Sequence, residues 1–191
     1  MSARPRVSDG DRGNPGERVA KACERWGDDE VVRRCAALLR HEPGNPVTGD
    51  LLDLAVVLGG LRDRGWLAGG KPPGHSYWAR VWAARALRYV WNEGASSSVV
   101  HGLGDEHWRV REMSANVVRD YEVTDSADPL VPLTGEDVPR VRRAAVLALA
   151  VVAEGEHADA IRAMLDDPDE SVAGAAEKAL RAISERLDRR F

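Results

Sequence analysis

The chain has 191 residues, of which 43% are apolar and 30% charged, a balance that suits a soluble globular protein. Its formal net charge of −4 speaks against a surface given over to nucleic acid, which calls for a basic footprint. No apolar run approaches the roughly 18 residues of a membrane span, and the opening MSARPRVSDGDRGNPGER lacks the apolar stretch of a secretory signal.

Residues 1–15 are rich in Pro, Gly, Asp and Arg without periodicity and are expected to form a disordered tail. A first helix is predicted over 17–26, with Val19, Ala22, Cys23 and Trp26 on one side and Gly27 ending it. Asp28 or Asp29 then offers a cap to a second helix whose apolar face is Val31, Val32, Cys35, Leu38 and Leu39. The run His41-Glu42-Pro43-Gly44-Asn45-Pro46 stops that helix. Cys23 and Cys35 match no metal or redox spacing and read as buried free thiols, as in a reducing cytoplasm. The basic residues are nearly all Arg, which reads as GC-rich, bacterial coding.

The clearest signal is the stretch Val141-Arg142-Arg143-Ala144-Ala145-Val146-Leu147-Ala148-Leu149. Its apolar residues fall at offsets 0, 3, 4, 7 and 8, one stripe of an α-helix. The same pattern starts at Ala79, Val110 and Val172, so the anchors are 31 residues apart. A fixed period in this range signals stacked helix pairs. The register extends back to Thr48, which places a third helix over 48–64 with Leu51, Leu52, Ala55 and Val56 on its stripe. The irregular segment 65–75 stands where the next pair's outer helix belongs, so that helix is short or missing. Further outer helices are predicted over 97–103, 129–133 and 158–165, and a final helix over 170–189 ends in charge, as a water-exposed terminal unit should. Gly174 lies inside that helix, at a cost of about 1 kcal/mol that a close helix–helix contact would offset.

The stretches running from Asp105 to Val110-Arg111 and from Glu136 to Val141-Arg142, each followed by small apolar residues, resemble the HEAT repeat, in the short form also seen in phycobilin lyase subunits. The resemblance covers residues 76–189 well and 17–75 loosely. It implies an all-α fold, an α-solenoid of about five HEAT-like helix pairs in one domain, with degenerate units over 16–75 and regular ones over 76–191. It also implies a polar ladder between the acid before each inner helix and the Arg six residues later. Here the ladder is Asp105 and Arg111, then Glu136 and Arg142, then Asp167, with Ala173 in place of the last Arg. These charges read as structural, and Asp105 and Asp167 also stand where helix N-caps could sit.

Candidate chemistry is sparse. Gly65, Gly70 and Lys71 have P-loop spacing, but Pro72 stands where Ser or Thr should bind Mg²⁺, so no nucleotide is expected. His101, Asp105 and His107 fit no zinc pattern. No cofactor or metal is therefore expected. Arg80, Arg85, Arg88, Arg109, Arg111, Arg119, Arg140, Arg142 and Arg143 spread along the inner helices, but Glu106, Glu112, Asp120 and Asp137 nearly cancel them, so solvated or laddered charge is the reading.

Four of the six tryptophans crowd one region: Trp78, Trp82, Trp91 and Trp108, with Tyr77 and Tyr89. Trp82 takes a core offset where other units have Met113, Ala144 and Ala175. Trp78 lies one before its anchor, and Trp108 two before, outside the main stripe. Two placements are open for Tyr77, Trp78 and Trp108: packed against the 66–75 loop, or an exposed patch at the starts of adjacent inner helices. Aromatics and Arg are the usual anchors of protein interfaces. The expected function is thus a non-catalytic cytoplasmic adaptor binding another protein, with Tyr77, Trp78, Trp108, Arg109 and Arg140 as contact residues. The resemblance leaves two other classes: a nucleic-acid-binding protein similar to the HEAT-like DNA glycosylases, with Asp105 beside Trp108, and an accessory subunit similar to the phycobilin lyases.

Overall fold

The computed structural model describes residues 13–61, 64–68 and 77–188. Among these the chain is all-α, with no strand. Helix α1 spans Pro15–Trp26, α2 Asp28–Leu39, α3 Gly49–Gly59, α4 Gly65–Ala68, α5 Tyr77–Ala86, α6 Ser96–Gly102, α7 Trp108–Tyr121, α8 Ala127–Leu130, α9 Pro139–Val152, α10 Ala158–Arg162 and α11 Glu170–Leu187. None of the described helices is long and apolar enough to cross a membrane.

The first helix starts at Pro15, two residues earlier than its apolar stripe suggests. Asn14 and Glu17 form a reciprocal capping box, each side chain accepting the other's backbone N–H, and Pro15 loses nothing at the first helical position. The disordered-tail expectation for residues 1–12 lies outside the described residues. Gly27, at φ +83°, both ends α1 and begins α2, so neither Asp28 nor Asp29 is the cap; both sit in the first turn of α2, where the helix dipole favours acid. Val31, Val32, Cys35, Leu38 and Leu39 are all buried. Cys23, expected to be buried, is half-buried, and burial with its Asp28 neighbour pushes its thiol up to about 11. Burial raises the fully enclosed Cys35 thiol further.

Helices α5, α7, α9 and α11 start at Tyr77, Trp108, Pro139 and Glu170, the same 31-residue spacing as the anchors. Each anchor is the third residue of its helix, and Ala79, Val110, Val141 and Val172 are all buried. Helix α5 packs on α7, α7 on α9, and α9 on α11, while α6, α8 and α10 each pack on the helix that follows them. The connecting units are short: α8 and α10 run straight into 3-10 turns at Val131–Gly135 and Ala163–Asp166.

The register carries back to α3 only in part. Thr48 is exposed and precedes that helix; of the stripe counted from it Leu52 and Ala55 are buried and Leu51 and Val56 partly so, while Leu54 and Leu58 are buried besides. The helix is apolar on more than one side because it packs against α1, α2 and α5 at once. It ends at Gly59, well short of Arg64, where Gly60 takes the left-handed conformation that closes the last turn. Trp82 of α5 lies flat on that end: a Cβ added at Gly59 would stand 2.5 Å from its ring. The indole at an offset held elsewhere by Met113, Ala144 and Ala175 thus fills space over α3.

Gly174 is the opposite case. No atom stands within 4 Å of where its Cβ would be, so no close helix contact explains it. The close approach is instead at Gly102 of α6, where an added Cβ would collide with Ser114 Oγ of α7. Gly174→Ala should therefore stabilise the protein by about 1 kcal/mol through helix propensity alone. A lowered urea midpoint would show that the site is filled.

Candidate functional site

The arginine one residue after each of the first three anchors reaches forward to the acid of the next unit. Arg80 Nε meets Asp105 Oδ2 at 2.6 Å and Nη2 meets Oδ1 at 3.2 Å. Arg111 Nε and Nη2 meet the two Glu136 oxygens at 2.6 Å each. Arg142 Nε and Nη2 meet Asp167 Oδ2 and Oδ1 at 2.6 and 2.7 Å. The Arg80 and Arg142 pairs are bidentate forks, the geometry that guanidinium and carboxylate prefer, while Arg111 donates to Glu136 through Nη2 and its Nε, though close, makes no hydrogen bond. In Arg111 and Arg142, unlike Arg80, the third nitrogen turns back on its own unit: Arg111 Nη1 donates to the Asp105 carbonyl at 2.7 Å and Arg142 Nη1 to the Glu136 carbonyl at 2.8 Å. The Arg142 guanidinium holds the Asp167 carboxyl below the usual carboxylate range.

Arg80 belongs to this series although the ladder read from the sequence starts at Asp105. The signal was present, since Ala79-Arg80 matches Val110-Arg111 and Val141-Arg142. Asp105 and Asp167 are not the N-caps. Each accepts the N–H of the residue two later, at 2.8 Å, and those residues, His107 and Asp169, cap α7 and α11.

The five candidate contact residues come together at the starts of α5, α7 and α9. Arg109 lies between two indoles, its guanidinium carbon 4.3 Å from the Trp108 ring centre and 5.5 Å from that of Trp78. Arg140 lies 5.9 Å over Trp108 from the next helix start. Tyr77 stacks on Trp78 at 5.2 Å, and Trp78 on Trp82 at 6.0 Å. The result is a row in which ring and guanidinium alternate from α5 to α9. Such stacking gains cation–π energy of about 0.5–1 kcal/mol per pair at exposed sites and holds long side chains in one conformation.

His107, which no repeat pattern placed in this row, completes it. Its ring stacks on Tyr77 with centres 3.5 Å apart and planes 5° off parallel. Its Nδ1 accepts the Arg109 N–H at 3.2 Å, which caps α7. Burial, then the Arg109 charge, pushes this imidazole below its ordinary range. It is therefore neutral at pH 7, with an acceptor nitrogen available for the cap. No group of three His, Cys, Asp or Glu among the described residues could hold a metal.

Tyr77, Trp78, Trp108 and Arg109 are half-buried, resting their inner faces on the core, and Arg140 is exposed. Of the two placements open from the sequence, packing beneath the 66–75 loop involves residues 69–75, which lie outside the described residues, as do Gly70 and Lys71 of the P-loop spacing.

With anchors, forks and helix starts all repeating, the sequence pattern can be placed. Residues 74–150 match the family described as HEAT repeats. This segment holds α5 to α9 and most of the stacked row, and covers less than half of the chain. HEAT repeats commonly mediate protein–protein interaction. No curated protein matches the chain.

Proposed function

We propose that this protein is a non-catalytic cytoplasmic adaptor, a short α-solenoid of HEAT-like helix pairs of the kind also seen in phycobilin lyase subunits, which binds another protein across the starts of α5, α7 and α9. The observation that carries this reading is the alternating row Trp78, Arg109, Trp108, Arg140. Its members lie ring against guanidinium, with Trp78, Arg109 and Trp108 half-buried and Arg140 exposed. A surface whose large side chains are ordered before binding loses little entropy when a partner arrives. Trp and Arg in such a setting are the residues that dominate interface energetics. The row runs across the starts of three helices, which suits a partner chain better than a small substrate.

A catalytic reading finds less support. A glycosylase-like site would need Asp105 as a free carboxylate beside Trp108. Asp105 is almost fully buried, accepts a guanidinium fork from Arg80, and also holds the His107 N–H. Both oxygens are committed to the fold.

Replacing Trp78 and Trp108 together with Ala should abolish capture of the partner while leaving helix content intact. The comparison is between wild-type and variant columns loaded with the same native cytosol, with circular dichroism on both proteins. If the double variant loses its helical signal, the two rings are core and the interface reading fails. If it folds and captures the same partner, the row is not the contact surface.

A further inference from the structure

The two arginines that precede anchors in the row differ in one respect. Arg140 is answered by an acid: Glu112, two residues after the anchor of the preceding helix, meets its Nη2 at 2.9 Å and its Nε at 3.0 Å. Arg109 holds the same place one unit earlier. The residue two after the preceding anchor is there Val81, a buried apolar side chain. Arg109 accordingly makes no ion pair with a described residue, and among those residues its guanidinium lies against the faces of Trp78 and Trp108. The neighbouring acids are committed elsewhere: Asp105 and Glu106 to Arg80, Glu112 to Arg140.

We infer that Arg109 is the receptor for a carboxylate of the partner protein, an Asp or Glu side chain seated on the guanidinium that Val81 leaves without its acid. This rests on the partner-binding reading above and names the partner's chemistry: an acidic segment with apolar residues beside the carboxylate. A guanidinium stacked between rings keeps its five N–H donors in its own plane, so its edge presents the bidentate fork that carboxylates fit. Half-burial between indoles strengthens such a pair over one made in open water. The flanking rings of Trp78 and Trp108 supply the apolar contact.

The test selects short random peptides displayed on phage against the whole protein, then measures the recovered sequences as synthetic peptides by fluorescence anisotropy. Binders should be enriched in Asp and Glu. Arg109→Gln should weaken them roughly 10- to 100-fold, as expected for losing a charge-assisted hydrogen-bonded pair. Arg109→Lys should recover little, because an ammonium keeps the charge without the planar fork. Arg181→Gln, the same charge change at an exposed position on α11, should leave binding within about twofold, since a distant surface charge is screened. Matching melting curves show that the variants are folded, and the Lys variant stands in if Gln disturbs the stack. Binders without acidic enrichment, or equal losses at Arg109 and Arg181, would overturn the inference. If such binders are still lost in the Trp78/Trp108 double variant, the partner surface stands and only the carboxylate falls. Binders indifferent to every variant, or no binders at all, would remove both. Duplex oligonucleotide retained through Arg109 at low salt, where acidic peptides are not, would assign the site to phosphate instead.

Discussion

Asp105→Ala is expected to cost about 3–5 kcal/mol, the range for removing one partner of a buried ion pair. Against a typical total stability of about 5–15 kcal/mol, that is enough to leave the chain marginal. Arg80 is 1% exposed, so its guanidinium cannot reach water when the carboxylate is gone. Glu106 stays at 3.2 Å, but it is 59% exposed and compensates weakly. The variant also removes the acceptor of the His107 N–H, where α7 begins. Asp167→Ala offers an internal comparison. Arg142 would keep the backbone carbonyls of Glu136 and Asp137 and is 12% exposed, so a smaller loss of about 1–3 kcal/mol should follow. Replacing both members of the first pair, as Arg80→Met with Asp105→Leu, should recover most of the loss, since the penalty comes from a stranded charge rather than a missing attraction. Urea unfolding of the four proteins measures all of this. An Asp105→Ala midpoint no lower than that of Asp167→Ala would show that burial does not set the cost.

The forks also explain what could be read from residue order alone. A period of 31 with buried anchors is a local pattern, repeated four times, and the helix starts follow it residue for residue. The pairing direction was less legible. Within one unit the acid and the Arg stand six residues apart, which suggests a pair between them. The structure bonds that Arg to the carbonyl of its own acid and pairs its side chain with the acid 25 residues on. Which carboxylate an Arg reaches depends on how successive helices stack, and spacing within a unit does not contain that. The same limit applies to α3. Its composition says helix and core, but three neighbours compete for its surface, so no single stripe describes what it buries. In the candidate site, the gathering of Tyr77, Trp78, Trp108, Arg109 and Arg140 was legible because all five stand one or two residues before anchors that repeat. His107 was not, because its part depends on a stack with Tyr77 from another helix.

Ala145→Leu should destabilise the protein by about 1–3 kcal/mol through overpacking. The position four after each anchor is held by Ala83, Ser114, Ala145 and Ala176, and all four are fully buried. At Ser114 the reason is visible: the backbone of Gly102 in α6 comes so close that a Cβ there would strike the Ser114 hydroxyl. A small residue at this register lets the helices of a unit approach to the short end of the usual 8–10 Å packing distance. Leu has nearly the helix propensity of Ala, so any loss on substitution reports packing rather than helix formation. Ala145 is on α9, which has α7 on one contact and α11 on another, so neither neighbour can shift without disturbing its own contacts. Ala176 is on α11, which among the described helices packs on the one anchored helix α9, so Ala176→Leu should be relieved in part by movement of α11, giving the smaller loss of the two. Gly174→Ala, two residues away on the same helix, has the opposite expected sign. The order Gly174→Ala above wild type, then Ala176→Leu, then Ala145→Leu in urea midpoint is the signature of tight packing confined to this one register. A midpoint for Ala145→Leu equal to wild type would mean that the space beside α9 is open and that the small residues there do not set the helix spacing.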